Sequence, residues 1–134
     1  MKKYELTDDT RIVDGHTLHR IKALRDFGSV NAGELGGWIE SEENLSHDGN
    51  CWVYGEAEIF DNAIIFGSAE ISDYAKIYGF AKIGGDAIIS DNVRILGNAI
   101  IYGYVTIYGF TKISGNAEIY GNVEIGGDAT IISN

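Results

Sequence analysis

A chain of 134 residues with a formal net charge of −10 has the length of one domain and can bury its own core, but it lacks the cationic footprint needed to bind nucleic acid or an anionic membrane directly. Glycine is plentiful and proline absent, a bias that points to a repeat architecture. The lone cysteine, Cys51, excludes an internal disulfide, and the opening Met1-Lys2-Lys3-Tyr4-Glu5-Leu6 carries no secretory signal; with no run near the roughly 18 apolar residues that span a bilayer, a cytoplasmic location is expected.

The first predicted element is a β-hairpin. Thr10 to Val13 and Thr17 to Leu24 read as strands joined at Asp14-Gly15, a pair that readily adopts the positive φ angles of a tight hairpin turn. Leu35-Gly36-Gly37-Trp38-Ile39 then leads into an acidic block, since Asp26, Glu34, Glu40, Glu42, Glu43 and Asp48 stand in a stretch without Lys or Arg. Residues 1–50 do not repeat and are expected to cap the end of the unit that follows, residues 51–134.

From Trp52 onward the chain is periodic in sixes. Val53, Ile59, Ile65, Ile71, Ile77, Ile83, Ile89, Ile95, Ile101, Ile107, Ile113, Ile119, Ile125 and Ile131 form one unbroken column. Four places after each stands Ala, Val or Thr, and midway between the two only Gly or Asp. A β-branched residue pointing inward from a short strand, a small one filling the corner and a Gly or Asp making the bend account for all three columns. Three sides close one coil, so positions 18 apart stack; at ~4.8 Å per coil, about four and a third coils give a parallel β-helix ~20 Å long. The repeat runs to Ile131-Ile132-Ser133-Asn134, where an unpaired edge is expected to invite stacking.

In these columns the chain resembles the hexapeptide-repeat proteins, whose motif is an aliphatic residue followed four places later by a small one. The resemblance implies a triangular prism of left-handed coils, against the usual right-handed crossover. One departure is the aromatic before the bend glycine, as in Ile77-Tyr78-Gly79, Ile101-Tyr102-Gly103, Ile107-Tyr108-Gly109 and Ile119-Tyr120-Gly121, which leaves the corner geometry open. Leu24-Arg25-Asp26-Phe27-Gly28, Leu35-Gly36-Gly37-Trp38-Ile39, Asn44-Leu45-Ser46 and Trp52-Val53 are similar to the lead-in of uncharacterised bacterial and phage members labelled transferase or polymer-forming protein, labels that rest on fold alone.

Chemistry is sparse. Acyltransferases of the resembled family use a coil-borne histidine as general base, commonly with a loop interrupting a coil, and its carbonic anhydrases bind zinc through three coil histidines. Here His16, His19 and His47 all precede the regular coils, and no insertion breaks the register. His16 and His19 fall short of the about four ligands of a structural metal site, and Gly84-Gly85 and Gly126-Gly127 lack the Lys of a phosphate loop. No catalytic, cofactor-binding or metal-ligating residue, and no cofactor, is expected.

The outer columns are more informative. One face carries Ile64, Phe66, Ile100, Tyr102 and Tyr120, with Lys82 and Glu118 among them, which is more apolar than solvent requires and is the predicted interface. A second face stacks Glu58, Lys76, Arg94, Lys112 and Thr130; Glu58 is expected to pair with Lys76, leaving mutually repelling cations that would welcome an acidic partner. Tyr74, Phe80, Tyr104 and Phe110 occupy corners. The function these features favour is a non-catalytic β-helical scaffold or interaction protein that self-associates. The rivals are an acidic phage or mobile-element inhibitor of a basic host site, and an acyltransferase with its site between subunits.

Overall fold

Residues 2–134 are described by the computed structural model, which is all-β apart from one 3-10 turn at Glu42–Asn44, capped by the Ser41 side chain. The hairpin consists of β1 (Tyr4–Val13) and β2 (His16–Ala23), with Val13 opposite His16. Asp14 and Gly15 have φ of 52° and 85°, the positive pair that a twisted two-residue hairpin turn demands. β1 begins well before Thr10: Leu6 already pairs with Ile21, and a bulge between Leu6 and Thr10 absorbs extra residues. The polar run Thr7-Asp8-Asp9-Thr10 hides that strand because it has no apolar alternation.

The strand β3 (Leu35–Ile39) is shared between hairpin and coil. It pairs antiparallel with β2 and, past β4 (Trp52–Val53), parallel with β5 (Glu58–Ile59). From there successive short strands take three parallel sheets in rotation. One sheet of eight strands runs β1, β2, β3, β5 and then Lys76–Ile77, Arg94–Ile95, Lys112–Gly115 and Thr130–Ser133. A four-stranded sheet holds Ile64–Ile65, Lys82–Ile83, Ile100–Ile101 and Glu118–Ile119, and the remaining five-stranded sheet begins at β4.

The solenoid has about five coils, more than the periodicity alone predicts, because β3 and Leu45, which bridges Ile65, already build one coil before Trp52. Its partners, Ile39 with Ile59 and Leu45 with Ile65, are two residues further apart in sequence than Val53 and Ile71. Those extra residues lie in the bends after Leu45 and throw the first coil out of phase with the rest.

The inward columns behave as their residue types dictate. Ile39, Leu45, Val53 and each column isoleucine through Ile113 are fully buried, each worth about 1.5–3 kcal/mol. In the small column Thr111 is the polar exception, and its hydroxyl donates to the Tyr108 carbonyl at 3.0 Å. The bend column takes the left-handed conformation whether it holds Gly or Asp: Asp61, Asp73 and Asp91 each have φ of 57°. Asp tolerates this region because its side chain finds local hydrogen bonds. Here Asp61 accepts from the Gly79 amide at 3.0 Å and Asp91 from the Gly109 amide at 2.9 Å, one coil further along. Tyr4, Ile21, Ala23, Phe27, Val30 and Trp52 pack together with the core at the end of the first coil, where the hairpin and the loop after it lie. No helix among the described residues is long and apolar enough to cross a membrane.

Candidate functional site

The predicted apolar face is assembled on the four-stranded sheet. Ile64, Lys82, Ile100 and Glu118 stand in one register from coil to coil. Beside them Phe66, Gly84, Tyr102 and Tyr120 follow the same spacing. The aromatics before the bend do not disturb the corner; they lie along the prism. The Tyr102 and Tyr120 rings stack at 5.3 Å and 7°, and Phe60 and Tyr78 at 4.9 Å and 3° on the neighbouring face, which is the strand spacing expressed in side chains. Where the column has no side chain, at Gly84, the Phe66 ring fills the place a Cβ would need. Part of the aromatic surface is thus explained by the coil itself. Ile100 is still 37% exposed, Tyr102 39% and Tyr120 57%, whereas Ile64 is half-buried. The corner aromatics Tyr74, Phe80, Tyr104 and Phe110 protrude further.

The basic ladder is arranged differently from expectation. Glu58 does not pair with Lys76, although the two are directly in register. It accepts from Arg11 of β1 at 2.9 Å, while Lys76 reaches Asp14 in the hairpin turn at 3.1 Å. The hairpin lies on the same sheet, so its charges compete for the ladder's first two members. Arg94 and Lys112 are exposed and have no ion-pair partner among the described residues. At the head of this ladder Trp38, in register with Glu58, sits under the Arg11 guanidinium at 3.8 Å and the Arg20 guanidinium at 4.7 Å. Glu56 bridges both arginines, at 2.6 and 3.0 Å, and Arg11 foremost holds its carboxyl below the usual range. Nothing in the periodicity signals this cluster, although Trp38 occupies a place that the later coils give to charged residues.

The three histidines are anchored parts of the cap. His16 and His19 share no site. His19 donates Nδ1–H to the Thr7 carbonyl at 3.1 Å, whereas His16 spans two carboxylates, with Nδ1 at 2.9 Å from Glu40 and Nε2 at 3.0 Å from Asp61. The hydrogen bond to Glu40, more than any other influence, raises the His16 pKa above its ordinary value. Glu40 also accepts the Asp61 amide at 2.8 Å, and a cleft of about 370 Å³ opens alongside, between the Glu40–Asn44 turn and the Asp61–Ile64 corner. The arrangement suits an imidazolium held between two anions. The same three side chains bring one ligand atom each within 4.8 Å of one another, three donors where a closed structural metal site has about four.

His47, the one histidine that could serve as a base at a subunit boundary, stacks on Tyr4 at 4.2 Å. Its Nδ1 accepts the Lys3 amide at 3.1 Å and its Nε2 meets Glu42 at 2.8 Å, so neither nitrogen is left for a substrate proton. Beneath it the Lys3 ammonium is fully buried and donates to the Cys51 carbonyl at 2.7 Å and to its sulfur at 3.3 Å. Burial lowers the Lys3 pKa and raises that of the Cys51 thiol; an inert, packed thiol is the outcome.

Comparison with known proteins adds one relative and no family. No family model matches the chain. An uncharacterized acetyltransferase of Escherichia coli strain K12, YdcK, is 40% identical over 67 residues, covering 44% of this chain and 21% of the relative. The match therefore spans about a fifth of the relative's own length. Its columns and stacked parallel coils make the chain a parallel β-solenoid of about five turns, similar over one stretch to this acetyltransferase.

Proposed function

We propose that the chain is a non-catalytic β-helical scaffold that binds protein through the face centred on Ile100, in the first instance another copy of itself. The observation that carries this reading is the outward isoleucine in the middle of that face: Ile100 is more than a third exposed, between two charged neighbours, Lys82 and Glu118. Stacking explains its tyrosine neighbours but does nothing for an isoleucine, which a solvated strand would replace with Thr or Lys. The tied-up nitrogens of His47 support the non-catalytic part. Light scattering over a concentration series tests it: self-association is expected, and Ile100→Lys lowers the mass without changing the far-ultraviolet circular dichroism. A monomer at every concentration overturns the reading.

A second reading, a piece of an acyltransferase, is favoured by the printed activity of the Escherichia coli relative. Its signature would be acetyl-coenzyme A binding or turnover that is lost in His47→Ala. On the scaffold reading neither is expected, and calorimetry with acetyl-coenzyme A distinguishes the two.

A further inference from the structure

The face around Ile100 carries two charges, and their placement dictates how two copies meet. Lys82 and Glu118 are both exposed and flank Ile100 in the same register, one coil on either side. Neither has an ion-pair partner among the described residues, and Glu118 accepts a long hydrogen bond from the Tyr102 hydroxyl at 3.5 Å. Two coil spacings, about 10 Å, keep them from pairing with each other.

Resting on the reading that this face self-associates, we propose that two copies pack face to face with their coil axes reversed, about a two-fold axis through Ile100. A two-fold interface brings the same patch of both subunits together. If its axis ran along the prism, each Lys82 would face the other Lys82, and each Glu118 the other Glu118, with repulsion at both places. If it runs along the strands, every height is inverted about Ile100: Lys82 of each copy meets Glu118 of the other, twice, and Ile100 meets Ile100. The aromatic column agrees. Tyr102 faces Tyr102, and Tyr120 faces the height of Gly84, where the column lacks a side chain and the Phe66 ring lies flat, so one aromatic settles on another. Charge and shape thus select the same arrangement. The patch spans a sheet of only four short strands, so the dimer is a weak one that forms at high protein concentration.

The test is charge reversal with complementation, read by sedimentation equilibrium and with circular dichroism as the control for folding. Lys82→Glu alone and Glu118→Lys alone each place like charges together at two symmetric points and are expected to weaken self-association by roughly tenfold or more. An equimolar mixture of the two variants restores attraction at both points and is expected to return to the affinity of the unaltered protein. If the unaltered protein associates but neither variant weakens it, or the mixture fails to recover, the reversed arrangement is wrong while self-association stands. If the unaltered protein does not associate at all, both ideas fall together.

Discussion

The regular coils and the N-terminal region before them are held together by different physics. All eight ion pairs among the described residues have at least one member within residues 2–47. Beyond Asp61 the one side chain in an ion pair is Lys76, and it reaches back to the hairpin. The coils rely instead on inward isoleucines, on strand-to-strand amides and on ring stacks between neighbouring turns. A repeat unit cannot bury its apolar side alone and gains stability from its neighbours, whereas the hairpin reaches the solenoid along one sheet and is fastened to it by charge. The coils should therefore respond to changes of volume and burial, and the cap to changes of charge and pH.

The most damaging substitution should be a charge in the middle of the isoleucine column. Ile95 is fully buried and is paired on one side with Ile77 and on the other with Ile113. Ile95→Asp buries an uncompensated carboxylate and is expected to cost several kcal/mol. Ile95→Val, which only trims a methyl, should cost about 1 kcal/mol. Urea denaturation followed by circular dichroism measures both. A tolerated Ile95→Asp would mean that the column is not the core.

A smaller, local effect is expected where the two regions join. Trp38 is 4% exposed, packs with Leu18 and Phe60, and carries both arginines on its ring. Trp38→Ala should cost about 3–5 kcal/mol, felt mainly by the hairpin. Hydrogen exchange would show faster exchange across β1 and β2 while the amides of the later coils keep their protection. Uniform loss of protection would instead make cap and coils one cooperative unit.

How legible each region is in the sequence follows from the same contrast. The coil could be read because one residue type recurs at one spacing: Ile59, Ile77, Ile95 and Ile113 are interchangeable solutions to one packing problem, and their outward neighbours inherit their register. The first coil is hidden from that periodicity because the bends after Leu45 are longer and shift its phase. Stacking order alone makes Lys76 the neighbour of Glu58, while its actual partner, Arg11, arrives through the register and bulge of β1. His16, Glu40 and Asp61 converge from a hairpin, a strand end and a corner, and no spacing links three such segments. Periodic packing is written locally; charge networks between elements are written only in the assembled fold.

The mildest prediction concerns pH, and it separates the two regions without removing any packing. The ordinary pKa of His16 is 6.5, and in the fold it is raised, first by the hydrogen bond to Glu40; burial opposes this, and the charges of Glu40, Asp61 and Asp14 each add a smaller upward push. A group whose pKa is raised on folding stabilises the fold fully below its unfolded pKa, and that contribution is lost as pH rises through the folded value. Attachment of the hairpin should therefore weaken as pH rises above 6.5, modestly, because the ring is partly open to solvent. Glu42 acts with the opposite sign: hydrogen bonds from Lys2 and then His47 depress its pKa, so its contribution is present above the ordinary carboxylate range and lost on acidification. Melting temperatures across this span should fall off toward both ends. His16→Gln, which cannot become charged, should remove the decline above pH 6.5 and leave the acid side alone; a decline there that survives it would assign the effect to another group.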